Sequence, residues 1–362
     1  MTTLDKARET IEETDKEIAS LFEKRMEAVK SVAEYKKEHA LPVEDTLREE
    51  MLIRNNVKYI ENEDFRSYYV GFLKDTIEIS KQYQHRILDG MRVAYSGVEG
   101  AFANIVAKKI FPDAECLPYP DFASAYSSVE KGECDCVVLP IENSTNGDVG
   151  IVLDLAFFGT LYINGMYECE IVQNLLAVKG ASLSDIKEVI SHPQAIGQCA
   201  DFIRKNRFKI TESFNTAAAA KYVAESGRKD IAAIASSEAG EKYGLCELAS
   251  HINESGLNTT RFAVFSRAKR ETSISDARFV MLFTVNNSAG SLAKAINVIG
   301  DHGFNLRAIK SRPRKELIWD YYFYAEGEGN ISTEKGTDML DGLYECCKDL
   351  KILGTFEKDV RI

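Results

Sequence analysis

From Leu4 to Val32 the apolar residues Leu4, Ile11, Ile18, Leu21, Phe22, Met26, Val29 and Val32 recur at three-, four- and seven-residue steps, and neither Pro nor Gly intervenes before Pro42. That is the period of one face of an amphipathic helix. At 1.5 Å per residue the helix would be about 55 Å long. Residues 1–88 hold one Pro, one Gly and no Cys, so the whole segment reads as helical. A helix of that length cannot bury its apolar stripe within so small a unit. Two chains are therefore expected to pack together along it. The same pattern predicts a second helix over Glu44–Tyr59 and a third over Asp64–Arg86, ending at Asp89-Gly90.

Beyond Gly90 the period changes. MRVAYSGVEGAF reads as a strand, a Gly-rich turn and a helix start; CDCVVLPIEN, IKEVISHPQ and DIAAIASSEAG are apolar runs that end in polar residues. Helical stretches such as TAAAAKYVAES lie between them. This alternation predicts a largely parallel α/β architecture with its site at the carboxyl ends of the strands. Residues 268–277 read as a linker. The remainder reads as strand, helix, strand, strand, helix, strand, a ferredoxin-like βαββαβ unit.

The chain of 362 residues suits two or three domains. Its net charge of −11 argues against a nucleic-acid partner and requires any site for an acidic metabolite to be built from locally clustered Arg and Lys. The eight Cys form no CxxC pair, and His39, His85, His192, His251 and His302 are scattered, so no metal is expected. Reduced thiols, an N-terminus without a leader pattern and the lack of an apolar run of about 20 residues predict a cytoplasmic protein with no membrane partner.

Polar residues on the first segment have a distinctive spacing. Arg25 and Lys36 are eleven apart and share a helix face, about 16 Å from one another. Arg8 points elsewhere and could more naturally reach a site in a partner chain. Asp45, Arg48 and Glu49 are expected on one face of the second helix, and Ser80 and Gln84 lie one turn apart on the third. Spacing alone is also satisfied by a solvated face. The ordered set Arg8, Arg25, Lys36, Pro42-Val43-Glu44-Asp45, Arg48-Glu49 and Ser80…Gln84 resembles the all-α chorismate mutase family. The resemblance implies an intertwined dimer that rearranges chorismate to prephenate. Such a reaction needs a held conformer and stabilisation of a developing ether-oxygen charge rather than a nucleophile. It implies Arg25, Arg48 and a partner chain's Arg8 on the carboxylates, Lys36 and Gln84 beside the ether oxygen, and Asp45, Glu49 and Ser80 completing the site.

The polar strand ends each have a plain reading as turn, cap or ion pair. Taken in order, the Ser96-Gly97-Val98-Glu99-Gly100-Ala101-Phe102 loop, Pro140-Ile141-Glu142-Asn143, Ser191-His192-Pro193-Gln194, Thr216-Ala217, Ser237-Glu238-Ala239-Gly240 and Thr260-Arg261-Phe262 resemble prephenate dehydratase. The resemblance implies two α/β subdomains of the periplasmic-binding-protein kind with a site between them and no cofactor. It puts Thr260 at the departing hydroxyl and Glu142, Asn143 and Gln194 in the cleft. Arg261 would anchor a carboxylate or form the loop, with Ser96, Ser191, Thr216 and Phe262 as further substrate contacts. The glycines of the first loop are expected to present N–H groups to a carboxylate. His192 is expected to be structural.

The βαββαβ segment resembles a phenylalanine-sensing ACT domain through Ser288-Ala289-Gly290-Ser291-Leu292 and Lys310-Ser311-Arg312-Pro313. Ala289, Gly290, Ser291, Leu292, Ser311, Arg312 and Pro313 are the implied effector residues. Ser291 and Lys310 depart from the family's Ala and Glu. Trp319, Tyr321 and Tyr322 read as core or interface aromatics. The combined expectation is a chorismate mutase over 1–89, a prephenate dehydratase over 91–267 and an ACT domain over 278–358. It works as a homodimer or as a tetramer of two pairs, with L-phenylalanine as inhibitor.

Overall fold

The computed structural model describes residues 2–254, 257–270, 277–314, 320–357 and 359–362. The expectation for Trp319 lies outside them. The chain divides into two compact units, Met1–Arg92 and Val93–Ile362.

The first unit is helical. α1 spans Thr3–Glu38 and opens on a capping box in which Thr2 accepts from the Asp5 N–H while Asp5 accepts from the Thr2 N–H. It ends before Ala40, which adopts φ +50°, and Pro42. α2 spans Thr46–Asn56 and α3 spans Glu63–Asp89. α2 is shorter than expected at both ends. The Asp45 carboxylate accepts from the Arg48 N–H at 3.0 Å, so Asp45 caps the helix from outside, and Val57–Tyr59 tighten into a 3₁₀ turn. Gly90, at φ +86°, stops α3. Ala33, Leu73 and Ile77 are buried, whereas Leu4, Ile11 and Leu21 remain 58, 60 and 65% exposed.

The second unit begins with the strands and helices of a first lobe: β1 (Arg92–Ser96), α4 (Phe102–Ile110), β2 (Glu115–Tyr119), α5 (Phe122–Glu130), β3 (Cys136–Asn143), β4 (Gly147–Asp148), α6 (Gly150–Phe158) and β5 (Tyr162–Glu170). A second lobe follows with β6 (Asn174–Ala177), β7 (Glu188–Ser191), α7 (Pro193–Gln198), α8 (Ala200–Asn206), β8 (Lys209–Glu212), α9 (Thr216–Ser226), β9 (Ile231–Ala235), α10 (Ser237–Tyr243) and β10 (Cys246–Ala249). The chain then returns to the first lobe as β11 (Thr259–Ser266). The C-terminal module comprises β12 (Ala277–Thr284), α11 (Ser291–Asp301), β13 (Asn305–Pro313), β14 (Tyr321–Glu328), α12 (Glu334–Cys346) and β15 (Asp349–Glu357); β16 is Val360–Arg361.

The sheets are mixed rather than largely parallel. β1 and β3 run parallel, but β11 pairs antiparallel with both β3 and β5. In the second lobe β7 is parallel to β8 and β9, while β6 is antiparallel to β9 and β10. The reason is the crossing between lobes. The strand that returns slots between existing strands and must run against them. The C-terminal sheet has the order β13-β14-β12-β15, all antiparallel, the expected ferredoxin-like arrangement. It packs on the first lobe: Val280, Leu282, Tyr322, Tyr324 and Phe356 share one core with Leu139, Ile163 and Phe265. Gly354 permits this approach, because a Cβ there would collide with the Ile163 carbonyl.

Candidate active sites

A cleft of about 430 Å³ in the second unit is lined from the first lobe by Ser96, Phe102, Phe122, Pro140, Asn143, Val149, Thr260 and Phe262, and from the second by His192, Gln194, Gln198, Phe214, Asn215 and Thr216. Ile171 and Gln173 of the lobe crossing also border it. Ser96, Asn143, Gln194, Thr216, Thr260 and Phe262 thus come together as expected. Ser191 does not line it. That side chain is fully buried, and its hydroxyl donates to the Ile234 carbonyl at 2.6 Å, tying β7 to β9.

Among the described residues no Arg, Lys, Asp or Glu lines this cleft, contrary to the expectation of clustered cations. Its polar groups are amides, hydroxyls and the starts of four helices, since residues at or beside the first turns of α4, α6, α7 and α9 border it. Helix N-termini bring unpaired N–H groups and partial positive charge, which suits carboxylates. α7 and α9 carry side-chain caps from His192 and Asn215, whereas α4 and α6 have no side-chain cap among the described residues. The Gly-rich loop plays a different part from the one expected. The Gly97 N–H donates to the Tyr119 carbonyl at 2.8 Å and the Gly100 N–H to Asn104 Oδ1 at 3.1 Å. Gly100, at φ +88°, instead lets the loop close on α10, where a Cβ would lie 3.4 Å from the Ala239 Cα.

A chain of buried side-chain hydrogen bonds ends at Thr260. Asn143 Nδ2 donates to Thr260 Oγ1 at 2.9 Å and to Asn258 Oδ1 at 2.9 Å. Asn258 Nδ2 donates to Gln198 Oε1 at 2.9 Å. Asn143 Oδ1 accepts from the backbone N–H groups of Thr145 and Asn146, both at 3.0 Å, which fixes the amide's orientation. Because Thr260 Oγ1 accepts from Asn143, its own hydrogen is left to donate. His192 Nδ1 accepts from the Gln194 N–H, so the expected structural role is present, and the hydrogen of the neutral ring sits on Nε2 beside the cleft. Burial lowers the pKa of His192, which weakens it as a source of protons near neutrality. Gln173 is 2% exposed, and its Oε1 has no hydrogen-bond partner among the described residues.

Glu142 and Arg261 stand on the opposite side of the sheet, a correction to their expected place in the cleft. Alternation along β11 puts Thr260 and Phe262 on one face and Arg261 on the other. In β3 the register shifts between the pairs Arg261–Glu142 and Phe262–Pro140, so Ile141 is an extra, bulged residue. The bulge lets both Pro140 and Asn143 face the cleft and turns Glu142 away. Arg261 bonds Glu142 at 3.1 Å, Glu326 at 2.9 Å and Asp359 at 3.0 Å. Glu142 also meets Lys310 at 2.8 Å. Burial pushes the Glu142 carboxyl upward, but pairing with Lys310 and Arg261 outweighs this and holds its pKa below the ordinary value.

Gln198 and Gln173 were not singled out from the sequence. Gln198 had a signal, lying one turn after Gln194 on the same helix. Gln173-Asn174 interrupts an otherwise apolar run, IVQNLLAV. Phe122, Phe214 and Asn215 had no comparable mark.

In the helical unit Arg25, Ser80 and Gln84 converge. Arg25 Nη1 donates to Ser80 Oγ and, at 3.4 Å, to the Thr76 carbonyl; Gln84 Nε2 donates to the Ser80 carbonyl at 3.3 Å, leaving Oε1 buried and unpartnered. Burial lowers the pKa of Arg25. Lys36 donates to the Val43 carbonyl at 2.7 Å, and Glu49 pairs with Lys81 at 3.6 Å. Arg48 is exposed, and Asp45 is a cap rather than a member of the helix face. Arg8 lies about 26 Å along α1 from Arg25, apart from these residues.

In the C-terminal module Gly290, at φ +85°, precedes α11, and the Ser288 and Ser291 hydroxyls bond at 2.7 Å. Ala289 is exposed, and Leu292 packs partly on the module's core. Ser311 and Pro313 lie on the exposed face of β13. Arg312 lies on the other face and bonds Asp154 of α6 at 2.9 and 3.1 Å. It is thereby committed to the first lobe, against its expected place in an effector loop. Tyr322 is buried and donates to the same carboxylate at 2.8 Å, as a core aromatic should; Tyr321 is 40% exposed.

Comparison with known proteins now adds to this geometry. The prephenate dehydratase family profile matches residues 93–270 and the chorismate mutase type II profile residues 7–85. The bifunctional chorismate mutase/prephenate dehydratase of Aquifex aeolicus is 31% identical over 365 residues, 99% of each chain. This chain belongs to the bifunctional chorismate mutase/prephenate dehydratase family. It is an enzyme of phenylalanine biosynthesis with a mutase unit and a dehydratase unit. Arogenate dehydratase 2 of Petunia hybrida is 34% identical over 285 residues, 74% of this chain and 72% of the relative. The structure of prephenate dehydratase from Arthrobacter aurescens in complex with L-Phe is 27% identical with a TM-score of 0.69, covering 74% of this chain and 90% of that one. Among the described residues no group of His, Cys, Asp and Glu could hold a metal ion, and no helix is long and apolar enough to cross a membrane.

Proposed function

We propose that the enzyme works as three domains, 1–89, 91–267 and 278–358, with the dehydration carried out in the amide-lined cleft around Thr260. The observation that carries this reading is the Asn143–Thr260 bond, which leaves the threonine hydrogen free to donate. Prephenate loses its ring carboxylate as CO₂. The electron pair of that C–C bond enters the ring, and the ring C–OH bond breaks with its pair, so the product is phenylpyruvate and the released hydroxide takes a proton to become water. Thr260 donates a hydrogen bond to the departing oxygen; a threonine is too weak an acid to supply the proton outright. The N-termini of α4 and α6, which lack side-chain caps, hold the carboxylates with Gln194 and Thr216. Aromatisation drives the step, so no cofactor is needed.

In the mutase, Arg25 and Arg48 hold the carboxylates of chorismate, together with Arg8 from a second chain, and Lys36 and Gln84 flank the ether oxygen. Gln84 serves this role once its amide is turned to point Nε2 at the ligand. Glu49, Asp45 and Ser80 complete the site. The exposed Leu4–Leu21 stripe supports a homodimer, and the reduced cysteines support a cytoplasmic location. The C-terminal module acts as an ACT domain that senses L-phenylalanine, the ligand of the Arthrobacter aurescens dehydratase.

Gln173 bears on substrate choice. Its unpaired oxygen needs a donor, which prephenate offers only at the ring hydroxyl and arogenate offers also at its ammonium group. The purified enzyme should convert chorismate to phenylpyruvate after exhaustive dialysis against a chelator. Millimolar phenylalanine should slow the dehydratase. A dehydratase rate that vanishes on dialysis overturns the cofactor-free mechanism, and an arogenate rate above the prephenate rate reassigns the physiological substrate.

A further inference from the structure

Asn258 touches no part of the cleft, yet it is the joint through which one lobe orients the hydroxyl on the other. It is 1% exposed. Its Nδ2 donates to Gln198 Oε1 of α7 at 2.9 Å and reaches the Ile171 carbonyl at 3.4 Å; its Oδ1 accepts from Asn143 Nδ2 at 2.9 Å. Along Gln198–Asn258–Asn143 each amide is bonded to the next, while the Thr145 and Asn146 N–H groups on Asn143 Oδ1 decide which end of that amide faces Thr260. An amide carries donors at one end and an acceptor at the other. With Asn258 Nδ2 held by Gln198, only Oδ1 can face Asn143. That acceptor takes one hydrogen of the Asn143 amide and steers the second onto Thr260 Oγ1, 2.9 Å away.

We propose that Asn258 is a positioning residue for the dehydration: it fixes the Asn143 amide so that the Thr260 hydroxyl is constrained to donate into the cleft. The inference rests on the reading of Thr260 as donor to the departing hydroxyl. Without the acceptor at 258, one Asn143 hydrogen loses its partner, and the amide, still held at Oδ1 by the Thr145 and Asn146 N–H groups, can pivot about those bonds toward the Thr259 carbonyl, already 3.3 Å from Nδ2. Thr260 could then spend its hydrogen on protein rather than on substrate. The cost falls on the transition state, where the donated bond matters most, and not on substrate binding.

The test is steady-state dehydratase kinetics of the full-length enzyme. Asn258→Leu keeps the volume and removes both amide functions. It should lower kcat on the order of 10- to 100-fold with KM changed less than about threefold. Asn258→Asp keeps the acceptor facing Asn143 and should recover kcat to within about fivefold, with Gln198 turning its own amide to donate. A residue needed only for folding predicts the opposite order, because a buried carboxylate is harder to accommodate than an isosteric leucine. If Asn258→Leu does not fold, as judged by thermal unfolding, Asn258→Ser, too short to reach Asn143, takes its place. In a Thr260→Ala background Asn258→Leu should cost less than about twofold. A full-size effect there, equal rates for the Leu and Asp variants, or a loss confined to KM overturns the proposal. Thr260→Ala with normal turnover instead overturns the underlying role of Thr260.

Discussion

The two catalytic units present their candidate site residues in opposite ways. The helical unit offers charge: Arg25 lies against Ser80, Lys36 stands about three turns further along α1, and Glu49 is on α2. Its helix exposes Leu4, Ile11 and Leu21, and its Arg8 lies far from the other site residues of the same chain. In the α/β unit no Arg, Lys, Asp or Glu among the described residues lines the cleft, and amides, hydroxyls and helix starts stand in their place. The contrast teaches where each site can be built. A long helix has few N-termini to offer and must recruit cationic side chains. An α/β fold brings many strand ends and helix starts to one edge, so the backbone supplies the positive potential.

The comparison can be broken most decisively by separating the chains. Leu21→Asp with Ile11→Asp should lower mutase turnover by at least about 100-fold, as expected when a central apolar contact is lost, while the dehydratase stays within about twofold. An equal fall in both activities, at unchanged folding, would show that the cleft also depends on the pairing. Next in size, Thr260→Ala should cost the dehydratase about 100- to 1,000-fold, the usual effect of losing a transition-state donor, and leave the mutase untouched. Lys36→Ala should lower mutase turnover by a comparable factor, and survival of the rate within a few-fold removes Lys36 from the site.

Glu142→Gln sharpens the comparison from the other side. Because Glu142 faces Arg261 and Lys310 rather than the cleft, this variant should keep dehydratase kcat within about fivefold and lower stability by about 1–2 kcal/mol; a loss of three orders of magnitude in kcat would return Glu142 to the catalytic site. The smallest effect is on pH dependence. A carboxyl held below its ordinary pKa of 4.5 contributes stability that is fully present above 4.5 and is lost as pH falls through the lower, folded value. Wild type should therefore lose more stability than Glu142→Gln on acidification below pH 4.5, as followed by denaturant unfolding. His192 acts in the same direction nearer neutrality. Its lowered pKa means the unfolded chain takes up its proton first, so stability declines as pH drops below about 6.5.

Local features were legible because they depend on neighbours in the chain. The 3.6-residue period marked α1 and α3, Gly90 marked the boundary between units, and the βαββαβ order appeared without error. Strand-end motifs announced the residues of the dehydratase cleft, and six of them do meet there. The hidden features depend on pairing between distant segments. Whether Glu142 or Asn143 faces the cleft follows from one bulge at Ile141, and that bulge exists only because β11 returns from the second lobe to pair with β3. Lys310, read as a departure within an effector loop, meets Glu142 and Asp148 instead because the C-terminal sheet packs against the first lobe. Sequence by itself determined the elements, their order and the chemical inventory. Tertiary structure decided which face each side chain occupies, since a one-residue change of register reverses a strand's two faces and register is set by contacts more than 100 residues away.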